Sequence, residues 1–176
     1  MDFWLPEESS GEIVTLDQLE APPVAAAVRA WRQDSGTRAF PASPDGFIGN
    51  PHVFVVRILD QGTDYEYASV GAELIKGFDE DFSGRRLSSI VATNPRFGIG
   101  LRMLYDMVRS SGEPLGYRGW VGRDMKGARF NYHENAVLPF GATDARVEHL
   151  VVATALVPRN LPPPPRNGDA PGHAGG

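Results

Sequence analysis

The last apolar segment of the chain, Arg146–Val157, constrains the fold most strongly. As an extended strand it has Val147, Val151 and Ala153 on one side, and Leu150, Val152 and Leu156 on the other. A strand with one solvated face would alternate apolar and polar side chains. Because this strand is apolar on both sides, the sequence predicts a sheet whose two faces are both covered by other elements.

Residues 15–35 predict an N-terminal helix that can supply one of these covers. Its apolar side chains recur with a spacing of three and four residues and form one stripe: Val24, Ala27, Val28 and Trp31. Pro22 and Pro23 fit a first helical turn. Two alternatives remain open for this stripe. It packs on the chain's own sheet, or it forms a homodimer contact. In either case Trp31 is the anchor, and the predicted opposing surface consists of Leu150, Val152 and Leu156.

The order of the remaining elements predicts an α+β fold. Two strands come first, then short helical pieces, one longer helix and three more strands, in this order: His52–Leu59, Tyr65–Leu74, residues 77–95, Pro95–Ser111, Pro114–Arg123, Ala128–Phe140 and Arg146–Val157. Hairpin-joined groups of strands separated by helices favour one antiparallel sheet of five strands with the helices on one face.

Two segments lie outside this predicted domain of residues 15–157. Residues 1–14 are mixed and polar and are expected to be loose. Residues 158–176 are rich in Pro and Gly with few apolar side chains, a composition typical of a disordered tail. The PPPP run within the tail either docks on a partner as a polyproline helix or only keeps the chain soluble.

Composition excludes several classes of function. The chain has no Cys among its 176 residues, which removes disulfides, thiolate metal sites and Cys nucleophiles. A net charge of −5, with no dense basic run, argues against nucleic-acid binding. The acidic N-terminus is not a secretory signal, and no apolar run reaches the ~20 residues of a membrane helix. We expect a soluble, cytoplasmic protein.

The stretch GFDEDFSGRRLSSI, residues 77–90, has the start of a calcium loop, since Asp79, Asp81 and Ser83 alternate before Gly84. An EF-hand loop also requires Glu at its twelfth position, which here is Ile90. Calcium binding is therefore not predicted. Instead, we expect Asp79 and Ser83 to cap the short helices of this segment.

Four short stretches, taken in their order and spacing, resemble single-domain bacterial PAS proteins of the PAS_5 type, which occur chiefly in alphaproteobacteria. They are AWRQDSGTRAFP (30–41), YEYASVGAEL (65–74), GFDEDFSGRRLSSI (77–90) and ENAVLPFG (134–141). Phe140 stands where the more usual residue is Leu. The resemblance implies a five-stranded sheet in the spatial order 2-1-5-4-3. It also implies a cytoplasmic signalling role with a two-component regulator as partner.

PAS domains differ in the ligand that they bind, and the space between the long helix and the sheet is either a small cavity or a filled core. We predict a cavity beside Leu101–Val108, with seven candidate lining residues: Tyr67, Leu104, Tyr105, Trp120, Tyr132, Glu134 and His149. Pairing Phe140 with Ala145 across a four-residue turn would place Glu134 diagonal to His149. That pair either binds a polar ligand, forms a structural ion pair or lies on a solvent-exposed edge. His133 would lie on the opposite face from His149, so no metal site is predicted.

The sequence therefore predicts a non-enzymatic sensory or regulatory module that binds a small ligand, a protein partner or both. A Cys-linked flavin is excluded because Cys is absent, and haem is not expected because the long helix has no His. No catalytic motif is present. One alternative is a ligand-free dimerisation or adaptor scaffold. Another is a small cone-shaped α+β enzyme resembling nuclear transport factor proteins, although their long helices precede the sheet.

Overall fold

The structure, a computed structural model, describes residues 5–125 and 127–166. Within the described residues, six strands form one sheet: β1 (Ser10–Val14), β2 (Val53–Leu59), β3 (Asp64–Val70), β4 (Leu115–Trp120), β5 (Phe130–Phe140) and β6 (His149–Pro158). The same part of the chain contains four α-helices: α1 (Pro22–Ser35), α2 (Ala72–Phe78), α3 (Leu87–Thr93) and α4 (Pro95–Ser111). The α+β class is as predicted. No helix within the described residues combines the length and the hydropathy needed to cross a membrane.

The strands lie in the order β1-β4-β5-β6-β2-β3, and every neighbouring pair is antiparallel. The five strands expected from the sequence are β2 to β6, and their spatial order matches the predicted one. The predicted count of five is wrong because residues 10–14, expected to be loose, pair with β4 as an edge strand. This segment, SGEIV, is too short and too polar for its pattern to reveal a strand without its partner.

Helices cover both faces of the sheet, as the doubly apolar final strand predicted. Helix α1 packs on β5 and β6, and the indole nitrogen of Trp31 donates to the carbonyl oxygen of Pro139 at 2.9 Å. On the other face, the side chain of Leu156 packs against Gly77 of α2 so closely that a Cβ would not fit there. The α1 stripe therefore packs on the chain's own sheet, which is the first of the two alternatives.

The surface predicted to oppose α1 is wrong. His133 pairs with Leu156 and Glu134 with Ala155, so Glu134 and Leu156 point to opposite faces. Glu134 faces α1, where it contacts the backbone of residue 21. Leu156, and by alternation Leu150 and Val152, therefore face α2 to α4. Both sides of β6 are apolar, so its pattern could not decide which side α1 covers.

The β5–β6 connection is longer than predicted. Phe140 pairs with His149 and not with Ala145, which leaves residues 141–148 as the loop. The shift of four residues preserves the alternation, so His133 and His149 do lie on opposite faces, as predicted. It also separates Glu134 from His149 by six positions along the sheet, so the predicted diagonal contact is wrong.

The GFDEDFSGRRLSSI stretch forms the end of α2, a turn and the start of α3. Asp79 is the left-handed C-cap of α2 with a φ of 57°, and its carboxylate pairs with Arg129 at 2.6 Å. The carboxylate that binds the first turn of α3 belongs to Asp64, which accepts the N–H of Ser88 at 3.1 Å and its hydroxyl at 2.6 Å. The predicted side-chain capping of helical N–H groups by Asp79 and Ser83 is therefore wrong, although Asp79 does end α2 as its C-cap.

The C-terminal segment is ordered further than expected. Strand β6 extends to Pro158, and residues 159–166 continue along the edge of the β4–β5 hairpin. The Arg159 guanidinium donates to the carbonyl oxygen of Ala128 at 2.8 Å, and the indole of Trp120 donates to that of Pro164 at 2.9 Å. The prediction of disorder is wrong for residues 159–166, while residues 167–176 lie outside the described residues.

Candidate functional site

An aromatic groove opens between the helical layer and the β4–β5 hairpin. Its cavity measures about 480 Å³. Phenylalanine side chains from four separate segments line it, each partly buried: Phe78 of α2, Phe82 of the α2–α3 connection, Phe97 of α4 and Phe130 of β5. Ile90 and Thr93 of α3 and Met125 of the hairpin complete the wall. We refer to this cavity as the aromatic groove.

Three of the four rings, Phe78, Phe82 and Phe130, are joined by edge contacts. Phe78 lies 5.2 Å from Phe130 and 5.6 Å from Phe82 between ring centroids, both in T-shaped arrangements. Such pairs are favourable beyond the area they bury. Because Gly77 has no side chain, Leu156 packs directly against α2. The helix therefore lies close to the sheet, next to Phe130. The rings therefore form a connected apolar wall built by local packing.

Charged side chains at the groove are paired with each other. Arg85 forms an ion pair with Glu80, and Arg129 forms one with Asp79. The Arg85 guanidinium also lies 5.4 Å from the ring centroid of Phe82. Because both arginines have carboxylate partners, they neutralise the rim and leave the interior apolar. This arrangement is suited to an uncharged, largely apolar ligand.

A buried tyrosine pair lies behind the groove. The hydroxyls of Tyr67 and Tyr105 are 2.9 Å apart, and both side chains are buried. Tyr67 approaches the groove through Phe82, with 6.1 Å between ring centroids. Burial raises the pKa of Tyr67 to about 12 and that of Tyr105 well above its usual value. Both hydroxyls are therefore protonated at neutral pH, and each satisfies the other.

Tyr65 connects this pair to the surface of α4. Its hydroxyl donates to Asp106 at 2.5 Å and accepts from the Arg109 Nε at 3.2 Å. Its ring lies 5.3 Å from that of Tyr105. Burial, together with the Asp106 carboxylate, raises the pKa of Tyr65 to about 12. No partner for Asp106 was recognisable from the residue order, because Tyr65 is 41 residues away.

The predicted lining residues fall into two groups. Tyr67, Leu104 and Tyr105 are buried on the α4 side of the sheet. Trp120, Tyr132, Glu134 and His149 lie on the α1 side, because Trp120 pairs with Tyr132 and Phe140 pairs with His149. The prediction that one cavity collects all seven is wrong. None of them lines the aromatic groove or either of the two other cavities described.

Glu134 supports α1. Its buried carboxylate accepts the backbone N–H of Glu20 at 2.6 Å and that of Ala21 at 3.1 Å. Ala21 is the N-cap of α1 and has no side chain that could accept these donors, and the helix then begins with two prolines. A carboxylate at a helix N-terminus also interacts favourably with the helix dipole. Glu134 therefore has a structural role in positioning α1.

His133 belongs to a polar network within the α2–α4 side of the sheet. Its Nδ1 lies 2.7 Å from the amide nitrogen of Asn135, and the hydroxyl of Thr154 donates to the amide oxygen of Asn135 at 2.9 Å. A Cβ on Gly119 would overlap the imidazole, so this glycine makes room for it. Burial lowers the pKa of His133 to about 4. The imidazole is therefore neutral at pH 7.

Sequence reasoning missed the groove because its walls come from segments read as loops or short helical pieces. Phe78 and Phe82 flank the acidic residues that drew attention as a calcium-like pattern. Phe97 lies in the predicted helix Pro95–Ser111, whose spacing does not distinguish a groove wall from a buried helix face. The available signal was the recurrence of Phe around Gly and Asp in residues 77–84, since apolar rings next to turn residues seldom have a purely local role.

Comparison with known proteins gave no match to any family model, any curated protein or any solved structure. The function of this chain must therefore be argued from its residues and their geometry. The features available for that argument are the aromatic groove, the neutralised rim and the tyrosine pair behind it. The resemblance found in the four short stretches stays an expectation.

Proposed function

We propose that this protein is a non-enzymatic, PAS-like regulatory module of the bacterial cytoplasm that binds a small, largely apolar molecule in the aromatic groove. The observation that carries the proposal is the groove itself, a cavity of about 480 Å³ walled by four phenylalanines. This volume lies within the range of about 300–1,000 Å³ that is usual for small-molecule sites. The strand order and the placement of α2 to α4 on one side of the sheet support the PAS-like assignment.

The groove favours a planar aromatic ligand. Edges and faces of Phe78, Phe82 and Phe130 are already arranged at angles of 74–81° to one another. A flat ring inserted among them gains offset and edge-to-face contacts of the same kind. Arg85 and Arg129 are each held by a carboxylate, so a charged ligand would compete with existing ion pairs.

Binding of a ligand in the aromatic groove can be transmitted to a partner protein through Tyr67 and Tyr105. Phe82 borders the groove and packs against Tyr67, whose hydroxyl meets that of Tyr105 on α4. A ligand that displaces Phe82 therefore alters the packing of α4 on the sheet. The readout is a change in what α4 binds, and a two-component regulator is the partner implied by the family resemblance.

Native mass spectrometry of freshly purified protein tests this proposal. A retained molecule would add its mass to the 19.1 kDa chain, and solvent extraction would identify it. The matched control is Thr93→Trp, in which an indole from α3 occupies the groove. We expect retention by the wild type and loss by the variant. Equal retention by both would place the ligand elsewhere and overturn the assignment of the groove.

A second candidate function, a ligand-free dimerisation scaffold, is favoured by one exposed stripe on α4. Ile99, Met103 and Met107 recur every four residues and are 60%, 58% and 43% exposed. Arg102 and Asp106 lie beside them at a spacing of four. In an antiparallel pair of α4 helices, this stripe would pack against its own copy, as in a two-fold symmetric dimer.

Light scattering over a range of concentrations tests this second candidate. If α4 mediates self-association, Met103→Glu converts a dimer to a monomer, whereas Ile48→Glu, at a site 58% exposed outside α4, leaves the dimer intact. A wild-type protein that is monomeric at every concentration excludes the scaffold candidate. That result would leave the ligand proposal standing, because the groove lies within one chain.

A further inference from the structure

The segment that follows β6 crosses the end of the β4–β5 hairpin in contact with two donors. The indole of Trp120 donates to the carbonyl oxygen of Pro164 at 2.9 Å, and the side-chain amide of Asn131 donates to that of Leu161. Trp120 ends β4, and Asn131 is the extra residue of a β-bulge near the start of β5. Both donors belong to the sheet, and both acceptors belong to a proline-rich segment.

The spacing of the two acceptors matches a polyproline helix. Pro162 to Pro165 fix their φ angles near −65° and have no N–H, so this run favours the polyproline II conformation and cannot pair as a strand. That helix has three residues per turn. Leu161 and Pro164 are three residues apart, so their carbonyl groups project from the same side, towards Asn131 and Trp120.

Aromatic and cationic contacts reinforce this recognition. The Trp120 ring lies 5.2 Å from that of Tyr132, and the Arg166 guanidinium lies 5.7 Å from the Trp120 centroid. An aromatic shelf with one indole donor is the surface that proline-rich ligands bind in general. We refer to Trp120, Tyr132 and Asn131 as the Trp120 shelf, and to residues 161–166 as the strap.

Much of the strap faces solvent. Pro162, Pro164 and Pro165 are exposed, and Leu161 remains 50% exposed. Beneath it, Trp120 is only 5% exposed. The amide oxygen of Asn131 is buried and has no hydrogen-bond partner among the described residues. The strap thus covers Trp120 but leaves the amide oxygen of Asn131 without a donor.

We propose that the Trp120 shelf is a binding surface for proline-rich segments and that the strap occupies it as a replaceable internal ligand. The partner that fits is an extended proline-rich peptide with a non-proline residue opposite Asn131. The backbone N–H of such a residue can donate to the unpaired amide oxygen of Asn131. Its carbonyl oxygen can accept from the amide nitrogen of Asn131. The N–H of Leu161 cannot donate to the amide oxygen, because it donates to Pro158 at 3.0 Å.

The test uses the full chain and a peptide of the sequence PRNLPPPPR. In one variant, Pro162, Pro163, Pro164 and Pro165 are each replaced by Ala, which keeps the length and every carbonyl group. We expect solvent exchange of the Trp120 indole N–H to rise at least tenfold in this variant. Added peptide should slow it again, whereas PRNLAAAAR should not. Trp120→Phe removes the indole N–H and so assigns its resonance.

Two outcomes would overturn the proposal. Exchange that is unchanged by the four alanines shows that the shelf does not recognise proline. Exchange that rises but is not slowed by millimolar peptide shows that the strap is held only by its covalent attachment. If the alanine variant fails to fold, the wild type serves instead. Millimolar PRNLPPPPR should then shift the Leu161 methyl resonances towards those of a released strap, and unchanged resonances would overturn the proposal.

Discussion

The carboxylate of Glu134 in β5 accepts the backbone N–H of Ala21, the residue that precedes α1, at 3.1 Å. The two residues are 113 positions apart, so this contact joins the cover helix to the centre of the sheet. It gives a buried carboxylate a structural partner and satisfies amides that no local side chain can reach. It also explains how α1 is positioned beside β6, the strand that is apolar on both sides.

The first prediction concerns this contact. Glu134→Gln removes the charge while preserving one acceptor, and the hydrogen bonds of residues 20 and 21 weaken. We expect the free energy of unfolding to fall by about 1–3 kcal/mol, because hydrogen bonds to charged groups contribute that much. Urea denaturation measures it, with the exposed Glu73→Gln as the control. Equal stability of the two variants would contradict the assigned role.

The second prediction concerns α1 as an intramolecular cover. Trp31→Ala should lower the free energy of unfolding by about 3–5 kcal/mol, since it removes a buried indole and its hydrogen bond to Pro139. Arg29→Ala, on the exposed side of the same helix, should change stability by less than about 0.5 kcal/mol. Light scattering should give the same mass for both. A change in oligomeric mass caused only by Trp31→Ala would favour the dimer alternative.

The third prediction is a double-mutant cycle on Tyr67 and Tyr105. Tyr105→Phe leaves the Tyr67 hydroxyl buried without its partner and should cost about 1–3 kcal/mol. The double change to Phe removes both polar groups, so its cost should be clearly smaller than the sum of the single costs. Thermal or urea unfolding of the four proteins gives the coupling. Strict additivity would show that the hydroxyls do not depend on each other.

The fourth prediction concerns pH. The pKa of His133 is about 4 in the folded protein, compared with the ordinary value of 6.5. The unfolded chain therefore binds more protons between pH 6.5 and 4, and stability falls as pH decreases through this window. The full loss is about 3 kcal/mol. Burial also lowers the pKa of His149, so His149→Asn is the matched comparison.

The substitution that tests this assignment is His133→Asn. It should flatten the decline in stability between pH 6.5 and 4, although it lowers stability at neutral pH because the imidazole packs against Gly119 and Phe130. His149→Asn should flatten the decline less. If both variants retain the wild-type decline, the acid sensitivity comes from groups other than these two histidines.

The layers of the fold could be predicted from the sequence, but the contacts between these layers could not. The spacing of Val24, Val28 and Trp31 predicted a buried helix face, and the doubly apolar β6 predicted covers on both sides. These patterns report burial, which is local information. They cannot report which partner covers which face, and the pairing of Leu150 and Val152 with α1 was accordingly wrong. The same holds for β1, whose pairing depends on β4, about 105 residues later.

The candidate site was even less accessible to sequence reasoning. Tyr67, Leu104 and Tyr105 do lie on one side of the sheet, but Trp120, Tyr132, Glu134 and His149, predicted for the same cavity, lie on the other. The aromatic groove required the chain to bring Phe82 and Phe130 within reach of Phe78, a consequence of tertiary packing. Low apolar content suggested disorder for residues 159–166. Their contacts are instead hydrogen bonds to Trp120 and Asn131, which composition does not report.

Titration with indole, a planar and largely apolar probe, tests whether the aromatic groove is a ligand site. Backbone amide resonances of the ¹⁵N-labelled protein report where indole binds. We predict saturable shifts centred on Phe82, Thr93, Phe97 and Ala128, their loss in Thr93→Trp, and their persistence in Ser110→Trp, which fills a different cavity. Shifts that do not saturate, or that survive Thr93→Trp unchanged, would contradict the proposal that the aromatic groove is the ligand site.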